Sequence, residues 1–385
     1  MRILTAALVS LALGTLALAA PPLHRSAYLF SHPATRIPLT VGQNQVTAFD
    51  PDEGSAVTFA GSSQPHALKL PGKLAWNPRP TPQGVLAAQL DFAKCRVVLW
   101  NLSTQKAIST LQGDFKETFG CGRDGTEFVF NSAFTADGKF FLAADHRGAS
   151  RWDVRTGKRL NVRTGGWYSL DVSPDGKTVA LLGEGRRIEL WASDFSRRLK
   201  ALPAQPATCL NFMGARPNWS PDSRLLAFPC NGEVRVWNVQ AGGLRRYERA
   251  EQNEYAEAPV FSPDSRFLVA DEDGAGVEAW DIATGKRVAN TGPVKGTQVT
   301  AVVVTKQNLV LAVLDDGRLL RLDLQQPGSA LQPIQVYDRP QTGATLWPRL
   351  TVNAEGTWFA MSSGRGQVKV VPLPLPDDWQ TEAKE

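Results

Sequence analysis

Val260-Phe261-Ser262-Pro263-Asp264-Ser265-Arg266-Phe267-Leu268-Val269-Ala270 runs through Asp271-Glu272-Asp273-Gly274 to Val277-Glu278-Ala279-Trp280-Asp281-Ile282-Ala283-Thr284-Gly285-Lys286. Short apolar runs alternate here with turn residues. Pro263 suits the second position of a turn, because its ring holds φ at roughly −65°. Gly285 suits a position of positive φ. Val277 to Trp280 alternates faces as a half-buried strand does. Arg287-Val288-Ala289 begins a fourth run. The stretch therefore reads as four short antiparallel strands in about 40 residues, the unit of a radial repeat.

The unit recurs along the chain. Trp100-Asn101, Trp152-Asp153, Trp191-Ala192 and Trp237-Asn238 repeat the ending at Trp280-Asp281. Ser173-Pro174-Asp175-Gly176 and Ser220-Pro221-Asp222-Ser223 repeat the turn. Thr135-Ala136-Asp137-Gly138 and Asn353-Ala354-Glu355-Gly356 are weaker copies, and Leu319-Leu320-Arg321-Leu322-Asp323 is a third strand that lacks Trp. Gln45-Val46-Thr47-Ala48-Phe49-Asp50 looks like one more third strand, with Glu53-Gly54 completing its turn. Seven complete units follow that fragment. The expected fold is an all-β propeller of seven blades, each of four antiparallel strands, with N-terminal strands closing the ring against the last unit. Eight blades is the alternative, should Ser26 to Ala60 form a full sheet.

Met1-Arg2, an apolar run from Ile3 to Leu18 and Ala17-Leu18-Ala19 have the form of a secretory signal peptide. The expected division is residues 1–19 signal peptide, 25–372 propeller and 373–385 a Pro-rich, then charged, flexible tail. No later segment is long and apolar enough to cross a membrane as a helix. The chain is therefore expected in the periplasm or outside the cell, as a monomer. The 26 Pro, 33 Gly and 3 Met favour turns over long helices. A formal charge of +5 is too mild to argue for nucleic acid. Cys95, Cys121, Cys209 and Cys230 make an even set, which in an exported protein suggests disulfides; three pairings are possible.

Taken together, the Trp-Asp endings at 152–153 and 280–281 and the Ser-Pro-Asp turns resemble those of bacterial exported WD40-repeat, or YVTN-type, β-propellers. The likeness covers roughly residues 45 to 372. The Gly-His pair that opens the family's repeats is absent from every unit. The resemblance implies that the loop between second and third strands shares a face with the link to the next blade. Cys95–Cys121 and Cys209–Cys230 are then the favoured bridges. It also implies that Phe128, Trp167, Tyr255 and Trp347 each begin an innermost strand. These four are candidate ligand-face aromatics around the channel mouth, or else packing between blades. The fourth strands begin with Lys158-Arg159, Arg197-Arg198, Arg245-Arg246 and Lys286-Arg287, a basic rim. Such charge protects a free sheet edge from aggregation; it also suits an acidic partner.

Chemical motifs are few. Gly157-Lys158 and Gly285-Lys286 lack the earlier Gly and the following hydroxyl of a phosphate loop. No G-x-S-x-G elbow occurs, and no two His have metal-ligand spacing. The acidic turns offer too few oxygens for calcium. No catalytic residue, cofactor or metal is assigned. The expected role is a non-catalytic protein-interaction scaffold of the bacterial cell envelope, with another envelope protein as partner. A small-ligand or glycan binder at the channel mouth is the alternative, followed by a hydrolase or lyase with a channel site.

Overall fold

The computed structural model describes residues 28–31, 39–42, 45–50, 55–60, 66–69, 73–91, 94–113, 115, 131–145, 147–206, 209, 217–250, 259–272, 276–292, 294, 297–326, 331–336, 350–352, 356–362 and 367–374. Among these, eight four-stranded antiparallel sheets form. Blade 1 is Leu39–Gly42, Gln45–Asp50, Ser55–Ala60 and His66–Lys69; blade 2 is Lys73–Thr81, Gly84–Asp91, Arg96–Asn101 and Lys106–Thr110. Blade 3 is Asn131–Phe134, Phe140–Asp145, Gly148–Asp153 and Arg159–Thr164; blade 4 is Trp167–Val172, Thr178–Gly183, Arg187–Ala192 and Arg198–Ala201. Blade 5 is Asn218–Trp219, Leu225–Cys230, Glu233–Asn238 and Leu244–Glu248; blade 6 is Val260–Phe261, Phe267–Glu272, Gly276–Asp281 and Arg287–Asn290. Blade 7 is Val299–Val304, Leu309–Leu314, Arg318–Asp323 and Leu331–Gln335. Blade 8 joins Leu350–Val352, Trp358–Ser362 and Gln367–Pro372 to the N-terminal strand Tyr28–Ser31.

The expected β-propeller is present, and the seven units from Lys73 onward are each a sheet. The front fragment is a sheet as well, so the preferred count of seven becomes eight. Gln45–Asp50 is the second strand of that sheet; Ser55–Ala60 is its third. Without a Trp to mark the third strand, the pattern alone did not reveal the register. The expected closure by an N-terminal strand holds: Tyr28 pairs with Val370 and Ser31 with Gln367. The segment 1–19 expected to be a signal peptide lies outside the described residues, as do residues 375–385 of the expected tail.

The first strands of neighbouring blades lie side by side from blade 1 through blade 5, from blade 6 through blade 8, and from blade 8 back to blade 1. Between blades 5 and 6, Asn218 Nδ2 donates to Pro259 O at 2.9 Å. The core sits between the blades. Each third-strand Trp faces the preceding blade, and the residue before it faces the following one. Thus Trp191 packs with Leu142, Trp167 and Leu181, whereas Leu190 packs with Cys209, Trp219 and Phe228. Burial of each such ring or branched chain stabilises by roughly 1.5–3 kcal/mol. A bulge falls between Trp and the preceding residue in blades 2, 3, 4 and 6, where the outer strand joins. It adds local twist.

Two polar devices recur from blade 3 to blade 6, the second of them missing from blade 4. In the first turn, the Ser173, Ser220 and Ser262 hydroxyls each donate to the Asp two residues on, at 2.6 Å. The same hydroxyls accept from Thr178 N–H, Leu225 N–H and Phe267 N–H at 2.8–2.9 Å. Thr135 and Asp137 do likewise in blade 3. In the second device the residue after Trp caps the turn between third and fourth strands. Asp153 Oδ1 accepts from Thr156 N–H, Asp281 Oδ1 from Thr284 N–H and Asn238 Oδ1 from Ala241 N–H, at 2.8–2.9 Å.

Candidate functional site

The outer rim is the strongest candidate surface. Lys158, Arg159, Arg197, Arg198, Arg245, Arg246, Lys286 and Arg287 are all exposed. Several also have internal partners. Arg198 reaches Glu189 at 3.3 Å, and Arg287 reaches the buried Glu278 at 2.7 Å. Arg245 Nη1 donates to Ile282 O at 2.6 Å and Ala283 O at 3.2 Å. That last contact belongs to a series. Ser109 of blade 2 donates to Val154 O of blade 3; Arg163 of blade 3 donates to Phe195 O of blade 4; Lys200 of blade 4 donates to Gln240 O beside blade 5. Asn161 also donates to Asp194 O. The outer strands of blades 2 to 5 thereby staple themselves to the turn between third and fourth strands of the next blade. Sequence reasoning read the rim as free charge at the start of each fourth strand and missed this role of Arg163, Lys200 and Arg245. Their recurrence just inside each fourth strand was the available signal.

Trp167 does begin an innermost strand, yet its ring is 2% exposed. It lies over Gly183, where a Cβ would stand 2.8 Å from the ring, and Gly165, where it would stand 3.2 Å away. The Arg187 guanidinium sits 4.9 Å from the ring centroid. At this position the ring packs between blades 3 and 4 and does not line a mouth, because the two glycines open a slot for it. Phe128, Tyr255 and Trp347 lie outside the described residues.

Cys209 and Cys230 form a disulfide, as the favoured pairing required; Cys209 stands outside the named strands and makes an isolated antiparallel bridge to Cys230, which ends the second strand of blade 5. Cys95 is disulfide-bonded too; its expected partner Cys121 lies outside the described residues. Cys209, Cys230 and Glu233 are the described group with metal-binding proximity. The two sulfurs are joined to each other, and Glu233 Oε1 accepts from Arg235 at 2.6 Å. The set therefore offers no open coordination position.

Two of the buried charges along the blades, Glu278 and Arg79, are likewise engaged. Glu278 accepts from Ala250 N–H, Arg287 and Asn290. Arg79, on the first strand of blade 2, donates to Phe134 O of blade 3 at 2.6 Å. Burial lowers the Arg79 pKa, and Asp171 of blade 4 acts against that shift across the ring interior. Asp153 is held below the ordinary carboxylate range by the Thr156 hydroxyl, and Asp281 by the Thr284 N–H. These shifts belong to turn caps.

No known protein-family profile matches the chain, and no curated protein matches it. Solved structures do. The chain is similar to the computationally designed Ika8 protein, with a TM-score of 0.66, 16% identity, and 89% of this chain and 98% of that chain covered. It is similar to the C-terminal WD40 domain of Sif2, with a TM-score of 0.61, 13% identity, and 90% and 99% covered. It is also similar to BamB from Moraxella catarrhalis, with a TM-score of 0.63, 12% identity, and 89% and 97% covered. At these identities the likeness defines the β-propeller fold.

Proposed function

We propose that this chain is a non-catalytic protein-interaction scaffold of the bacterial cell envelope. The observation that carries the reading is the division of its polar groups. The buried acids Glu278 and Glu189 are bound by internal donors. The capping aspartates are committed to turns. Of the rim cations, Lys158, Arg159, Arg197, Arg246 and Lys286 are exposed and make no ion pair among the described residues. A rigid stapled ring with such edges suits docking of an acidic protein surface. The Cys209–Cys230 disulfide fits an oxidising compartment, consistent with residues 1–19 acting as an export signal; 373–385 is an extension anchored at its start, where Leu373 N–H donates to Thr357 O. In this reading the chain is a monomer, takes no cofactor or metal, and meets another envelope protein.

The test is capture of envelope proteins by the purified, disulfide-intact chain, with and without high salt. Specific partners lost on raising salt support the proposal, since screening weakens charge-driven contacts. Turnover of a substrate that depends on channel residues, or export failing when residues 1–19 are fused to a reporter, overturns its respective part.

A further inference from the structure

The outer strand of blade 3, Arg159–Thr164, differs from the other outer strands. It has six residues, against four or five elsewhere. Leu160 and Val162 on it are 41% and 47% exposed, two of the four large exposed apolar side chains among the described residues; the others, Leu199 and Leu244, stand one each on blades 4 and 5. A free sheet edge is normally blunted by charge at its centre or by shortness. Here the centre is apolar, and the charges Lys158 and Arg159 stand at one end with no carboxylate partner among the described residues. Asn161 and Arg163 are turned to blade 4, where they bond Asp194 O and Phe195 O.

The backbone is equally available. Gly165 N–H donates inward to Arg147 O at 3.1 Å. Antiparallel alternation then pairs Arg163 with Ala149 and Asn161 with Arg151 inward. The N–H and C=O of Val162 and Thr164 consequently face away from the sheet. No acidic residue lies on the strand.

We propose that Arg159–Thr164 receives, by β-strand addition, an extended segment of another protein whose apolar side chains alternate with acidic ones. Main-chain bonds to Val162 and Thr164 supply attachment, and alternate side chains supply specificity. The apolar members cover Leu160 and Val162, and the acidic ones meet Lys158 and Arg159. This deepens the scaffold reading by naming the surface and the partner's chemistry, and it rests on that reading.

The probe is a short acetylated peptide alternating valine and aspartate, titrated onto the full chain by fluorescence anisotropy, with a valine–lysine peptide for contrast. The aspartate peptide binds, high salt weakens it, and hydrogen exchange slows at Val162 and Thr164. Val162→Pro deletes an outward donor and no internal bond, so it lowers affinity about tenfold or more. Leu160→Asp, at a side chain already in water, lowers it also and guards against a folding defect in the first variant. Equal binding of both peptides, absent protection on this strand, or unchanged affinity in both variants overturns the proposal. Self-association of the chain that Val162→Pro abolishes overturns it in favour of a second copy as occupant. Envelope capture that persists in both variants overturns this surface while leaving the scaffold reading in place.

Discussion

Three glycines occupy the same place in three blades and should respond unequally to the same substitution. Gly157, Gly242 and Gly285 close the turn between third and fourth strands at φ of 69°, 85° and 76°. Ala at any of them incurs the left-handed penalty, about 1 kcal/mol. The surroundings then separate them. A Cβ on Gly242 meets nothing within 4 Å, and one on Gly285 meets the flexible Arg245 side chain, Nη1 nearest at 3.5 Å. A Cβ on Gly157 would stand 2.0 Å from Thr110 O of blade 2. That neighbour is backbone and cannot rotate away, so the two blades must separate locally. Overpacking of this kind adds about 1–3 kcal/mol. The shift also strains the Gln112 N–H bond to Gly157 O, 2.8 Å long. Gly157→Ala should therefore cost about 3 kcal/mol, and Gly242→Ala and Gly285→Ala about 1 kcal/mol each. Urea unfolding of the four proteins in parallel measures the differences, and hydrogen exchange should show the extra loss at the boundary of blades 2 and 3. Equal destabilisation by all three substitutions would refute the close-approach argument.

Other consequences can be measured alongside. Reducing Cys209–Cys230, or changing both to Ser, releases a crosslink spanning a sequence separation of 21 and should cost about 3 kcal/mol in denaturant unfolding. Ser223 sits at φ 62° and its hydroxyl accepts from Asp175 N–H of the preceding blade at 3.0 Å; Ser223→Ala should cost about 1 kcal/mol, and Ser223→Gly less, because glycine relieves the strained φ. The Asp281 carboxyl is depressed in the folded protein by the Thr284 N–H bond. Its contribution is thus present above the unfolded value of about 3.9 and is lost as pH falls through the lower folded value. Asp281→Asn, which copies the cap used at Asn238, should keep the turn at neutral pH and flatten that part of the acid-unfolding curve.

Much of the architecture could be read from residues that do one job everywhere. A third-strand Trp must fill the gap to the preceding blade, so Trp100 through Trp280 mark five third strands. Ser-Pro-Asp must close a turn through its own hydroxyl and carboxylate, so its position marks the first hairpin. Blade 1 was harder to place because neither signal occurs between Leu39 and Lys69, and β-periodicity alone fits Gln45–Asp50 to either of two strand positions. The Cys209–Cys230 bridge was accessible through the fold it required. The buried state of Trp167 was not, since it depends on Gly183 and Gly165, which approach only once the sheets are stacked. The staples from Arg163, Lys200 and Arg245 escaped notice for a related reason. A surface cation looks the same in sequence whether it faces water or a neighbouring carbonyl.

The pairing of Tyr28–Ser31 with Gln367–Pro372 carries a temporal consequence. A chain emerging from synthesis can stack most of its sheets one upon another as they appear, but its eighth sheet needs Tyr28–Ser31 together with strands made more than 300 residues later. The circle thus stays open, with one inner flank unprotected, until Gln367–Pro372 is available. Linking Pro372 to Tyr28 directly and opening the chain between two other blades would move that seam and alter when the ring closes, without altering what it becomes.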